Sequence, residues 1–204
     1  MYKYPIIVFE GIEGSGKTYH INKVQNYLKK NKIKFIKIRE PGGSLNSEKI
    51  RKLLLNQNSN FKYLTDLFLY MASRNENFHN IINENYKKKV ILMDRFTDST
   101  IAYQHYGMGI DKNMIIKLNK IILKKIKPNF TFLNIVSMKN LKFRVNKRPK
   151  NRYDKFNYKF YTKVQKGFIK LSKNKNNYMI IDSNKDIILN EQKIKKKISS
   201  LLKI

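Results

Sequence analysis

The 204-residue sequence predicts an α/β fold, a five-stranded parallel sheet flanked by helices, and three observations predict it. Short apolar runs of strand length recur at 5–10, 33–39, 89–94, 130–136 and 178–182. Segments of helical length separate most of them, so successive strands cross over and run parallel, with helices covering both faces. The first run, Ile6-Ile7-Val8-Phe9-Glu10, feeds a Gly-x-x-x-x-Gly-Lys-Thr loop that a helical stretch follows, the order that a phosphate-binding loop requires.

Taken in order, that loop comprises Gly11, Ile12, Glu13, Gly14, Ser15, Gly16, Lys17 and Thr18, and the helix runs over 17–31. Glycines tolerate backbone angles that turn N–H groups toward an anion, and the helix N-terminus adds unpaired donors. Lys17 is placed to reach the β- and γ-phosphates of a nucleoside triphosphate, and Thr18 to ligate magnesium. The competing reading is a chance match in a glycine-rich turn. The second strand ends at Arg39-Glu40-Pro41-Gly42-Gly43, a tight turn with a cation and an anion at its start, before a helix over 45–56. A helix over 61–85 carries Tyr70 and Arg74 four residues apart, on one face. That pair suits stacking of a planar base and bonding of its edge, or else ordinary core packing beside a solvated charge.

The third strand ends at Asp94, followed by Arg95, Ser99, Thr100, Tyr103 and Gln104 on a helix over 97–106. An acid there can hold magnesium or its water, and Arg95 can contact a transferring phosphate. Hydroxyls and an amide suit a base edge, although Asp98 or Ser99 can equally serve as a helix cap. Helices follow over 111–126, 138–147, 154–173 and 186–203. The lysine- and arginine-dense stretch 144–155 reads as an exposed mobile loop. No repeat or linker interrupts the chain, which reads as one domain over 1–204. In such a sheet ligands bind beyond the carboxyl ends of the strands, where these motifs fall.

Composition narrows the classes. There is no cysteine, hence no disulfide or thiolate chemistry, and His20, His79 and His105 lack metal-ligand spacing. No apolar stretch approaches a membrane span, and the first strand begins too early to leave room for a leader, so a cytoplasmic protein is expected. The charge of +30 suggests a polyanion partner. The lysines, however, are spread over nearly every segment and accompany Asn, Ile and Tyr, the mark of an A/T-rich coding sequence, so no specific nucleic-acid partner is expected. The seven arginines are more selective, because a planar guanidinium makes paired bonds to phosphate that an ammonium does not.

Together, Phe9-Glu10-Gly11…Gly16-Lys17-Thr18, Arg39-Glu40-Pro41-Gly42-Gly43, Tyr70…Arg74, Asp94-Arg95…Ser99-Thr100-x-Ala102-Tyr103-Gln104 and Asn151-Arg152-Tyr153-Asp154 resemble the thymidylate kinases in order and spacing over nearly the whole chain. The resemblance implies the P-loop nucleoside-monophosphate-kinase fold with a mobile lid, ATP and dTMP as substrates, magnesium as cofactor, and a homodimer formed through helices near 61–85 and 97–126. It implies an ATP site on the loop from Gly11 to Thr18 with Arg144, and magnesium on Thr18 and Asp94. Tyr70 would stack on thymine, and Arg74, Gln104, Thr100 and Ser99 would surround it. Tyr103 would face the deoxyribose, and Arg51 and Arg95 the dTMP phosphate. Glu40 would organise the acceptor site. Lys17, Arg95, Asp94 and the lid residues Arg148 and Arg152 would serve catalysis. The loop itself carries no arginine while the lid has Arg144, Arg148 and Arg152, the bacterial-type arrangement.

The chain departs from the family pattern at Tyr19, Met108, Asn129 and Asn151, none of which the phosphoryl transfer needs. Tyr70 stands where the family usually has phenylalanine. Two other readings remain open at this stage. One is a kinase of the same fold acting on dUMP, UMP or CMP. The other is a nucleotide-binding regulatory module without catalysis, although Lys17, Thr18 and Asp94 are all present.

Overall fold

The computed structural model describes residues 4–145 and 151–204, with side chains described for all but Val145. The five strands are β1 (Ile6–Glu10), β2 (Phe35–Arg39), β3 (Val90–Asp94), β4 (Phe130–Ile135) and β5 (Tyr178–Asp182). They form one sheet in the order β2-β3-β1-β4-β5, every pairing parallel. All five residues of β1 are buried, as its central place demands. Alternation along the strand sorts them. Ile7 and Phe9 join Phe132 against Ile21, Val24 and Leu28 of the first helix, α1 (Lys17–Lys30), and Ile194 and Ile198 of the last, α9 (Ile187–Leu202). Ile6 and Val8 face the other way, with Ile91 and Met93, onto Phe78, Ile82 and Leu123.

Between β2 and β3 lie α2 (Leu45–Leu55), capped by the Ser44 hydroxyl, and α3 (Tyr63–Asn77). The helix expected over 61–85 is not uniform: α3 widens into a π-helical turn, Phe78–Ile82, and ends in the single turn α4 (Asn83–Asn85). The next helix is likewise mixed, α5 (Thr97–Thr100) continuing as π-helix over Ile101–Gly107. After it come α6 (Lys112–Leu123), α7 (Met138–Val145) and α8 (Tyr158–Ser172).

The stretch 144–155 differs from the exposed loop expected of it. Residues 146–150, with Arg148, lie outside the described residues, but Arg152–Lys155 form a 3-10 turn in which Arg152 and Tyr153 are buried. A capping box between Asn151 and Asp154 closes this turn. Asn157 then caps α8 by accepting from the Phe160 N–H, so a break falls inside the helix expected over 154–173.

Candidate active site

The loop after β1 wraps its own lysine. Lys17, the first residue of α1, donates from Nζ to the carbonyls of Gly11 (2.9 Å) and Ile12 (2.8 Å). Burial, with the charge of Arg95 nearby, lowers Lys17 to about 8. Gly11 has φ +135° and packs so closely on β4 that a Cβ there would stand 2.2 Å from the Asn134 carbonyl oxygen. The loop is pinned from outside as well. Arg144 donates to the carbonyls of Gly14 (3.0 Å) and Ser183 (2.9 Å), and the Ser183 hydroxyl to the Ser15 carbonyl (2.6 Å).

Beyond β3 the chain turns sharply, with Arg95 in the left-handed region at φ +70°. Glu10, at the end of β1, holds this turn. One of its oxygens accepts from the N–H groups of Phe96 (2.8 Å) and Ser99 (3.1 Å), and the other from the Ser99 hydroxyl (2.5 Å). The cap of α5 is therefore neither Asp98 nor Ser99 but a carboxylate reaching across from the neighbouring strand. Burial, and the charge of Asp98 nearby, push Glu10 up to about 7. Arg95 is gripped by the Gly11 carbonyl (2.8 Å), Ser99 Oγ (3.1 Å) and Glu13 (2.9 Å). Burial alone would lower the guanidinium, but Glu13, Tyr103 and Asp94 carry it well above its ordinary value. The Tyr103 hydroxyl donates to Glu13.

A cavity of about 650 Å³ opens between these elements, running from Lys17 and Thr18 past Asp94 and Arg95 to Tyr70, Arg74 and Gln104. On the carboxyl-end side of the sheet it brings together Glu13, Gly14, Lys17, Thr18 and Asp94 with all the residues expected around the acceptor, whereas Gly11, Ile12, Ser15, Gly16, Arg144 and Arg152 do not line it. Arg74 is almost fully buried, at 2 % exposure. Its Nε (2.8 Å) and Nη2 (2.7 Å) sit on Glu40 Oε2, Nη2 also reaches Thr100 Oγ1 (3.0 Å), and Nη1 reaches Asn119 Oδ1 (2.6 Å). Burial raises Glu40 despite that partner. Gln104, in the same wall, has a buried Nε2 with no partner among the described residues. Arg51 donates to the Pro41 carbonyl (2.6 Å), so its guanidinium is held at the β2–α2 turn.

Tyr70 closes the apolar end. Its ring stands 6.3 Å from that of Tyr153, which is 6.1 Å from Tyr103. Burial pushes the Tyr70 hydroxyl up to about 12, so it is neutral. Arg152 differs from its expected place over ATP. It is turned onto α3, with Nη2 2.5 Å from Asp66 Oδ1, while the Tyr153 hydroxyl donates to the other Asp66 oxygen (3.1 Å). Asp66 is an almost fully enclosed acid, and a guanidinium within reach satisfies it better than solvent would. The sequence reading missed Glu10 as a cap, Asp66, Asn119 and the packing of Tyr153. Of these, Glu10, inside Phe9-Glu10-Gly11, and Tyr153, inside the Asn-Arg-Tyr-Asp motif, left a signal that could have been followed.

A phosphate loop beside a pocket that joins cations to buried polar and aromatic side chains defines a P-loop kinase acting on a small nucleotide. Comparison with known proteins names the branch. Residues 9–194 match the family described as thymidylate kinase. The chain is 38% identical over 185 residues to a thymidylate kinase of Sulfurihydrogenibium sp. (strain YO3AOP1), covering 89% of this chain and 90% of that one. It is 36% identical over 197 residues to that of Thermosipho melanesiensis, covering 96% and 98%. The solved thymidylate kinase of Ehrlichia chaffeensis superposes with a TM-score of 0.78 at 33% identity, covering 96% of this chain and 98% of that one. The chain belongs to the thymidylate kinase family, and it phosphorylates dTMP to dTDP with ATP as donor.

Proposed function

We propose that the two ends of the 650 Å³ cavity divide the reaction between them, with ATP phosphates on the loop from Gly11 to Thr18 and dTMP in the slot from Arg95 to Arg74. The observation that carries this reading is the buried Gln104 Nε2, an unused donor that lines the cavity beside the Arg74 guanidinium. A buried donor without a partner costs stability, and a base edge rich in carbonyl acceptors removes that cost. Gln104 and Arg74 then read the thymine edge. Tyr70 stacks on the ring, Thr100 holds Arg74, and Tyr103 faces the sugar. Arg95 and Arg51 take the acceptor phosphate, with Ser99 holding Arg95 and Glu40 holding Arg74.

The attacking group is a phosphate oxygen that is already ionised near neutral pH, so no strong base is needed. Catalysis comes from alignment and from cations placed on the transferring phosphoryl group. Lys17 and Arg95 supply these from the described residues, and Arg144 borders the ATP phosphates through its hold on Gly14. Arg148 is the lid arginine proposed to reach the transferring group. Such an arginine is worth roughly 10³–10⁵ in rate in related systems. The bond from Arg152 to Asp66 supports an anchoring role for that residue instead.

Magnesium is proposed as cofactor, and it would supply charge neutralisation at the phosphates. Thr18 and Asp94 both line the cavity and would hold it. No cluster of three or more His, Cys, Asp or Glu forms a cation cage among the described residues. That fits an ion carried mainly by substrate phosphates with one or two protein oxygens. We also propose a homodimer. Leu64 and Phe68 on α3 and Ile116 and Ile121 on α6 are exposed on helices that pack together, an apolar face that a second copy would cover. A cytoplasmic site agrees with the substrates, and no helix among the described residues is long and apolar enough to cross a membrane.

The test is ADP release with ATP, magnesium and, separately, dTMP, dUMP, UMP and CMP, for the native enzyme and for Arg95→Lys. The expected result is preference for dTMP and a kcat lowered at least about a hundredfold by Arg95→Lys, because an ammonium cannot replace the fork at a developing charge. An unchanged kcat would remove Arg95 from the mechanism, and preference for another acceptor would overturn the base slot.

A further inference from the structure

A guanidinium has five N–H donors. In Arg74 three of them make hydrogen bonds, Nε to Glu40, Nη2 to Thr100 and Nη1 to Asn119, and Nη2 also stands 2.7 Å from Glu40 Oε2 in an ion pair. Nη1, which Asn119 grips at 2.6 Å, carries a second hydrogen with no bond to the described residues. The Phe96 ring lies over the guanidinium at 5.4 Å and blocks one of its faces. Glu40 and Thr100 fix the Nε–Nη2 side. Asn119 holds the Nη1 side, and in a rigid planar group that grip helps to set the direction of the free hydrogen.

Asn119 comes from α6, 45 residues along the chain from Arg74, and is 7 % exposed. Its orientation is not arbitrary. Arg74 can only donate, so the atom facing it must be the amide oxygen, and Nδ2 is left without a partner among the described residues. A leucine would fill the same space without burying an unused donor. The asparagine is therefore a choice that the packing of α6 does not require.

We propose that Asn119 is a positioning residue for acceptor recognition: it helps to aim the free Nη1 hydrogen of Arg74 into the acceptor slot, and so contributes to dTMP binding without touching dTMP. The inference rests on the reading of the slot given above. Space is at hand for substitutions, since Asn119 also borders a second cavity of about 640 Å³ between α5 and α6.

Three variants test it: Asn119→Leu, which removes the acceptor while keeping the branching and heavy-atom count of the side chain; Asn119→Asp, which keeps an oxygen for Arg74; and Gln104→Leu, which probes the slot itself. Steady-state kinetics give KM for dTMP and for ATP, and thermal melting monitors the fold. In Asn119→Leu the dTMP KM is expected to rise about tenfold, the scale of a hydrogen bond to a charged group, with the ATP KM within twofold of native. In Asn119→Asp most of that loss returns. A dTMP KM within twofold of native in Asn119→Leu overturns the proposal. So does a parallel rise in both KM values, or a loss in Asn119→Asp as large as in Asn119→Leu, since each would make Asn119 a residue of the fold alone. If Gln104→Leu also leaves the dTMP KM unchanged, the slot reading falls with it. If Gln104→Leu raises that KM while Asn119→Leu does not, only the role of Asn119 falls.

Discussion

Glu10 gives the fold a pH dependence of predictable sign. Its carboxylate is buried at the end of the central strand, and burial with the neighbouring Asp98 moves it from 4.5 to about 7. The folded protein therefore binds this proton more tightly than the unfolded chain does. Stability on this account is greatest below 4.5, declines as pH rises, and levels off above about 7, where the group is ionised in both states. At about 1.4 kcal/mol per pH unit, the full span amounts to about 3 kcal/mol. Glu10→Gln mimics the protonated side chain: its oxygen accepts from the Phe96 and Ser99 N–H groups, and its amide donates to the Ser99 hydroxyl. Urea unfolding of both proteins between pH 5 and 8.5 isolates the effect. The variant should gain on the native enzyme as pH rises, by most of that ~3 kcal/mol, with the change concentrated below neutrality. A difference that is flat with pH, or that turns in favour of the native enzyme, refutes the reasoning, because Glu10 would then be carried charged without penalty.

Two glycines with positive φ, +135° at Gly11 and +82° at Gly109, should respond differently. Gly11→Ala drives a Cβ into the Asn134 carbonyl, whereas at Gly109, with φ +82°, nothing lies within 4 Å. Calorimetry should show a loss of about 1 kcal/mol for Gly109→Ala, set by backbone conformation alone, and at least about 3 kcal/mol for Gly11→Ala; equal losses would mean that the loop yields freely. Asp66→Ala leaves the buried Arg152 without its counter-charge and should cost about 3 kcal/mol in urea unfolding. A cost below about 0.5 kcal/mol, the scale of an exposed pair, would mean that the ion pair is incidental to the fold.

Much of this architecture was legible because it is local. β1, β3, β4 and β5 fall within a residue of the apolar runs that predict them, and β2 begins two residues inside its run. The phosphate loop is spelled out in eight consecutive residues. What the sequence did not reveal are contacts between distant positions. Glu10 caps a helix 89 residues away, and Asp66 meets Arg152 across 86. Apolar periodicity tells which face of a helix is buried, not which buried acid will meet which arginine. The π-helical turns at Phe78–Ile82 and Ile101–Gly107 were hidden for a related reason. One extra residue per turn changes the facing of a helix without changing its composition.

The electrostatics of the site also run opposite to the first impression of a basic chain. The arginines looked like the selective residues, each marking a phosphate or a base. In the structure every described arginine is bonded internally: Arg39 to Glu48, Arg51 to Pro41, Arg74 to Glu40, Arg95 to Glu13, Arg144 to Gly14 and Arg152 to Asp66. The scarce acids place four of them, and backbone carbonyls hold the other two. Among the described residues six basic side chains line the cavity, Lys17, Arg51 and Arg95 among them, but so do four acids, Glu13, Glu40, Glu48 and Asp94. The described wall of the cavity thus carries a formal balance of +2, in a chain whose net charge is +30. A site assembled from unopposed cations would resist folding through their mutual repulsion. Setting an acid beside each key guanidinium removes that resistance, fixes the direction of the fork, and still leaves hydrogens for a phosphate or a base.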